Sequence, residues 1–260
     1  MDIDEAARMF REFVAVIKRL RTPETGCPWD LEQDHRTLRP FLIEEAYEVL
    51  DAIDRGDDPA FREELGDLLL QVVLHAQVAD DRGAFSIIDV IRGVERKMVR
   101  RHPHVFGPVK AAGSAEVLKN WDQIKAAEAA EKGLDTSPAA ALARLPETLP
   151  ALQRAQRLGE KAAKAGMGGD SLATLLAKVN AAFAEFERDI QSHAVVSESE
   201  PASVTAAKSM KNAQCLRLGE ALGDVLFQIC QLARLLGLSA EDSLRASNRR
   251  FIERFRTETR

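Results

Sequence analysis

The 260-residue chain is 45% hydrophobic, with 41 acidic and 36 basic residues and a net charge of −5. Its length allows one large or two small domains around a real core, and its negative balance excludes binding of nucleic acid by bulk charge. A single Tyr, set against abundant Ala, Leu, Glu and Arg, argues for an all-α fold over a sheet protein.

The N-terminal MDIDEAARMF has no signal-peptide pattern. It reads as the amphipathic start of a helix over 4–21, with Phe10, Val14, Ile17 and Leu20 spaced for one face. A loop, TPETGCPWD, follows, broken by Pro23, Gly26 and Pro28. Its Trp29 suits either a plug in a core or a stacking surface. Cys27, Cys215 and Cys230 have no metal or redox spacing, so reduced thiols in a cytoplasmic protein are expected. No apolar run approaches membrane-spanning length, so no membrane partner is expected.

The next two helices carry the main chemical signal. Over 38–54 the apolar stripe is Leu42, Ala46, Val49, Leu50 and Ile53. Glu45 and Glu48 flank it on the side of Phe41, with Glu44 and Asp51 further toward solvent. After a turn, RGDDP, a helix over 59–82 has Leu65, Leu68, Leu69, Val72 and Ala76 as its stripe. Glu64, Asp67, Gln71 and His75 line one flank of that stripe. Each acidic pair has i, i+3 spacing and so projects from one side of its helix. Such pairs are usually a solvated face, but carboxylates bordering a core are costly unless a cation meets them. Two such helices side by side would gather four hard oxygen ligands, suited to a Mg²⁺ ion that also holds a substrate's phosphates. Gly66 lies between the second pair at a cost of roughly 1 kcal/mol in helix propensity, and close approach of a helix or ligand is expected there.

A helix over 86–102 stops at Pro103, with Lys97 and Arg101 on one face and Arg96 and Arg100 on another. A solvated basic face is the plain reading; a cation pair opposite an acidic cage would suit a polyphosphate. In the following loop, HPHVFGPVKAAGS, His102 and His104 are expected to terminate the helix. His35 and His75 read as lone, non-catalytic histidines. The helix VLKNWDQIKAAEAAEK then carries Trp121 and Lys125 four apart, and Trp121 suits stacking on a base or capping a core.

The second half repeats the first. GEALGDVLFQICQLARLLG (219–237) echoes the 62–83 segment, LLAKVNAAFAEFERDI (175–190) echoes 38–53, and SNRRFIERF (247–255) echoes 94–102. A module over 1–132, a proline-marked linker over 133–150 and a degenerate repeat over 151–260 are expected. The stretch 191–212 is expected to be a flexible loop. Glu45 and Glu64 have Ala182 and Ala221 as counterparts, while Glu185 and Asp224 stand opposite Glu48 and Asp67. Half a ligand set points to a structural role for the second copy. Arg250 and Arg254 hold the places of Lys97 and Arg101.

GCPWDLEQ (26–33), the EExxE run 44–48, the ExxD run 64–67, RRHPHVFG (100–107) and NWDQIK (120–125) resemble the MazG family of nucleoside triphosphate pyrophosphohydrolases. The resemblance implies tandem four-helix-type modules acting as a homodimer. It implies Mg²⁺, with Mn²⁺ as its substitute, and cleavage of (d)NTPs between the α and β phosphates. Glu45, Glu48, Glu64 and Asp67 match the metal ligands, Lys97 and Arg101 the phosphate-binding cations, and Trp121 a nucleotide-contacting tryptophan. Lys125 and Trp29 are further candidates for the nucleotide, and Glu44 for orienting or deprotonating water. Two alternatives stand beside this reading: a dUTP- or dCTP-selective pyrophosphatase, and a non-catalytic helical nucleotide-binding scaffold.

Overall fold

The computed structural model describes residues 1–167, 169–198 and 204–258, with side chains described outside 193–214. These residues form helices and no strand, as the composition requires. They fall into two compact units, residues 1–125 and 126–260. No single helix among them is long and apolar enough to cross a membrane.

The first unit begins with α1 (Ile3–Leu20), α2 (Pro28–Glu32), α3 (Arg39–Arg55) and α4 (Asp58–Asp81). It continues with α5 (Ile87–Arg101), α6 (Pro103–Phe106) and the start of α7 (Ser114–Glu131). Gly56 ends α3 in the left-handed region at φ +65°, a conformation cheap only for glycine. Asp57 caps α4 by accepting from Ala60 N at 3.1 Å. This tight turn makes α3 and α4 an antiparallel pair and fixes which residues face each other. Their core with α1 is Ile17, Leu38, Val73, Leu74 and Val78, backed by Phe10, Phe13 and Val14.

The packed face of the pair is rotated from the one the apolar pattern suggested. On α3 the buried residues are Val49 and Ala52, while Leu50 and Ile53 are exposed. On α4 the buried set includes Gln71, Val73, Leu74 and Ala76, whereas Leu65, Leu69 and Val72 are exposed. The flank carrying the acids therefore borders the α3–α4 seam, with Glu45, Glu64 and Asp67 half-buried and Glu48 exposed, and Leu65 and Leu69 are open. Gly66 has nothing within 4 Å of where a Cβ would stand, so no helix among the described residues approaches it.

The loop before α3 is tied down. Cys27 N donates to Leu20 O at 2.8 Å, which brings Gly26 so close that a Cβ there would fall 2.2 Å from Leu20 O. The nearly buried Arg21 pairs with Asp81 (Nε–Oδ2 2.7 Å) and donates from Nη1 to the carbonyls of Asp30 and Gln33. Gln33 Nε2 in turn donates to Trp29 O at 2.8 Å. The expected loop thus contains α2, held between the end of α1 and the end of α4.

The second unit holds α8 (Pro138–Ala143), α9 (Ala151–Lys164), α10 (Leu172–Glu198), α11 (Val204–Leu235) and α12 (Ala240–Glu258). α9 and α10 each pack on α11, as α1 and α3 pack on α4. The stretch expected as a linker carries α8, which packs on α9, and the buried Leu145. The flexible loop expected over 191–212 is corrected in its described part. α10 continues to Glu198 and α11 starts at Val204, through Ser- and Ala-rich ends whose composition suits a helix as well as a loop. Residues 199–203 lie outside the described residues.

Candidate metal centre

The antiparallel register of α3 and α4 brings together acids that are distant in sequence. One oxygen each from Glu45, Glu48 and Glu64 can be chosen so that all three lie within 4.8 Å of one another. Asp67, expected as a fourth ligand, lies outside this trio. Its charge nevertheless acts on both Glu45 and Glu64. Burial in the seam raises the Glu45 carboxyl above its ordinary value, and the charges of Asp67, Glu48 and Glu64 add to the effect. Burial raises Glu64 as well, reinforced by Glu48 and Asp67 and opposed by Arg55. Negative charge is thus concentrated beyond what neighbouring side chains offset. A divalent cation that prefers oxygen donors fits such a site, since hard carboxylates are the ligands of the Mg²⁺ class. Glu44, next to the trio on α3, is exposed.

The polar stripe of α4 continues past the acids. Gln71 is only 5% exposed, and its Oε1 has no partner among the described residues. One turn on, His75 meets His35 with their Nδ1 atoms 2.9 Å apart and their rings stacked at 5.2 Å. They are therefore a pair rather than two lone histidines. Burial, helped by the charge of His35, lowers the His75 pKa. Gln71 and His75 lie on the acidic flank in the sequence, and the fold adds that Gln71 is buried and His75 is paired. The signal that would have found them is the spacing 64, 67, 71, 75, a single stripe on one helix face.

The basic candidates form a second group. Arg101 stacks over the Trp121 ring at 5.6 Å, and His102 meets the same ring edge-on at 4.9 Å. His102 Nδ1 bonds to Met98 O at 2.7 Å and closes α5, as expected for a helix-terminating residue. Lys97, one turn before Arg101, and Lys125, one turn after Trp121, are exposed. Trp29 is 51% exposed and lies edge-on to Phe41, 5.9 Å between centroids. Phe41 stands one turn before Glu45 on α3, so the aromatic pair borders the acidic trio.

In the second unit Ala221, at the place of Glu64, is buried. The seam therefore closes without a carboxylate there.

Residues 33–106 match the model of the MazG nucleotide pyrophosphohydrolase domain. The chain is 42% identical over 243 residues to a nucleoside triphosphate pyrophosphohydrolase of Escherichia coli K12, covering 94% of this chain and 84% of that one. It is 38% identical over 252 residues to the nucleoside triphosphate pyrophosphohydrolase/pyrophosphatase MazG of Thermotoga maritima, covering 97% and 86%. A nucleoside triphosphate pyrophosphohydrolase of Mycobacterium tuberculosis is 39% identical over 156 residues, 59% of this chain and 45% of that one.

Proposed function

This chain belongs to the MazG nucleotide pyrophosphohydrolase family, and from that premise we propose that it hydrolyses (d)NTPs between the α and β phosphates. The products are a (d)NMP and pyrophosphate. The observation that carries the proposal is the Glu45–Glu48–Glu64 trio, in which two carboxyls are held above their ordinary range. Uncompensated acids in a helix seam destabilise a fold and are expected where a cation is to be held.

Glu45, Glu48 and Glu64, with Asp67, would hold Mg²⁺ or, in its place, Mn²⁺. When bound, the ion supplies Lewis acidity to the phosphoryl group and makes water a nucleophile at neutral pH. Glu44, exposed beside the trio, orients or deprotonates the attacking water. Lys97 and Arg101 neutralise the charge on departing pyrophosphate, which is the main electrostatic task in phosphoryl transfer. The Arg101–Trp121 stack supports this role, because it holds a flexible cation in one orientation. Trp121, Lys125 and Trp29 contact the nucleotide.

Catalysis is assigned to the first unit, since the second has Ala182 and Ala221 at two ligand places. Homodimerisation is supported by the open stripe Leu65, Leu69 and Val72 beside exposed Tyr47 and Leu50. The three unpaired cysteines support a cytoplasmic location. Pyrophosphate release from GTP with Mg²⁺ tests the activity. A panel of (d)NTPs separates broad hydrolysis from a dUTP- or dCTP-selective enzyme, and no turnover of any of them would leave the scaffold reading.

A further inference from the structure

The two units differ at one joint. In the first, residues 21–38 carry the chain from α1 to α3 and include α2, which sets Trp29 against Phe41. In the second, only residues 165–171 make the crossing from α9 to α10. The repeat puts Leu175 at the place of Leu38, and both are buried, at 2% and 1% exposure. It also puts Lys178 at the place of Phe41. The second unit has no described helix between α9 and α10, and a cavity of about 370 Å³ lies between α8, α9, α10 and α11.

The cavity's lining is mostly apolar and includes the charged side chains of Asp170, Lys178 and Arg234. Leu158, Met167, Leu175 and Phe227 form the walls. Lys178, paired to Asp170 at 2.7 Å, and Arg234 supply its cations. Arg234 Nε donates to Gln231 Oε1 at 3.1 Å, and Gln231 Nε2 donates to Ala155 O at 2.8 Å. Gln231 fits only because position 159 is glycine, where a Cβ would fall 1.6 Å from its Oε1. The lining is therefore fixed by packing. Gln228, at the place of Gln71, adds an amide that can both donate and accept.

We propose that this cavity is a second, non-catalytic site for a nucleoside monophosphate. A flat base fits between the apolar walls formed by Leu158, Met167, Leu175 and Phe227. Its edge meets the Gln228 amide, and the phosphate meets Lys178 and Arg234. The volume lies in the range of small-molecule sites, roughly 300–1,000 Å³. The choice of a monophosphate rests on the proposed activity, of which it is the product; the repeat then binds what the first unit makes.

Calorimetric titration of the full chain with AMP and UMP in EDTA tests this, because EDTA silences a metal-dependent site. One binding site per chain is expected. Ala162→Phe, which fills the cavity, and the Lys178→Glu, Arg234→Glu double variant should each weaken binding at least ~10-fold, the scale of losing a charge-assisted contact. Circular dichroism checks that both fold, and the double variant leaves the cavity walls intact. No binding by wild type at about 1 mM, or binding unchanged in folded variants, overturns the assignment. Pyrophosphate release is measured on the same samples. Release without variant-sensitive binding defeats the cavity site alone, and variant-sensitive binding without release defeats the activity alone.

Discussion

A carboxylate oxygen of Glu45 on α3 lies within 4.8 Å of one from Glu64 on α4, and both carboxyls are held above their ordinary range. Burial in the seam comes first among the causes, and the surrounding acids second. The arrangement links metal binding to stability in a direction that can be measured.

An acid whose pKa is raised by folding favours the folded state at low pH and costs stability as pH rises through the window between its two values. Glu45 and Glu64 should therefore destabilise the metal-free chain at neutral pH relative to acid pH. Glu64→Gln should melt higher than wild type in EDTA at neutral pH, and the difference should vanish below about pH 4. Mg²⁺ should raise the wild-type melting temperature and move the variant much less. Thermal melts across pH, with and without EDTA, read both effects; a variant less stable than wild type at neutral pH would count against the account.

Ala221 packs in the second unit where Glu64 stands in the first, so the helix seam does not need this acid. Glu64→Ala, Glu48→Ala and Asp67→Ala should keep their helical content by circular dichroism. Each should lower kcat by about 10²-fold or more, the scale of removing an electrostatic element of an active site. Asp67 is the informative member, since it stands outside the trio. A full-rate Asp67→Ala enzyme would reduce its role to electrostatics at a distance.

Arg101 is stacked on Trp121, so the two should act as a unit. Arg101→Ala should lower kcat/KM for the triphosphate and shift the emission of Trp121, and Arg101→Lys should restore little, because a planar guanidinium stacks where an ammonium does not. The stack itself contributes about 0.5–1 kcal/mol, so the fold should survive. Kinetics together with fluorescence in a Trp29→Phe background would separate loss of the cation from displacement of the ring.

Arg21 ties α1, α2 and α4 through Asp81, Asp30 and Gln33. Arg21→Ala removes the cation from Asp81, which keeps only its bond from Gln77 Nε2, and frees two carbonyls. A loss of about 1–3 kcal/mol is expected for the lost charge-assisted bonds, because the Asp81 left behind is partly exposed, with Trp29 emission moving toward that of a solvated indole. An unchanged melting temperature would show that α2 is held by its backbone contacts alone.

Much of this was legible in the sequence. Helix positions followed from apolar spacing, and the acids from two i, i+3 pairs. The faces were not. Leu65, Leu69 and Val72 look like a core stripe, yet Gln71 is buried and they are open, because hydrophobic periodicity does not say which partner covers a face. The His35–His75 pair joins residues 40 apart in sequence, and α2 is set by Arg21 reaching to Asp81. Contacts of that range leave no local pattern. The continuation of α10 and α11 beyond their apolar centres was hidden by Ser- and Ala-rich composition, which suits a helix end as well as a loop.

In the proposed function the first unit releases pyrophosphate from a (d)NTP at the Glu45–Glu48–Glu64 centre. The most direct measurement is product analysis of GTP turnover with Mg²⁺ by wild type and by Glu48→Ala. GMP and pyrophosphate in equal amounts are expected from wild type, and neither from the variant. GDP with orthophosphate, or undiminished pyrophosphate release by Glu48→Ala, would contradict that function.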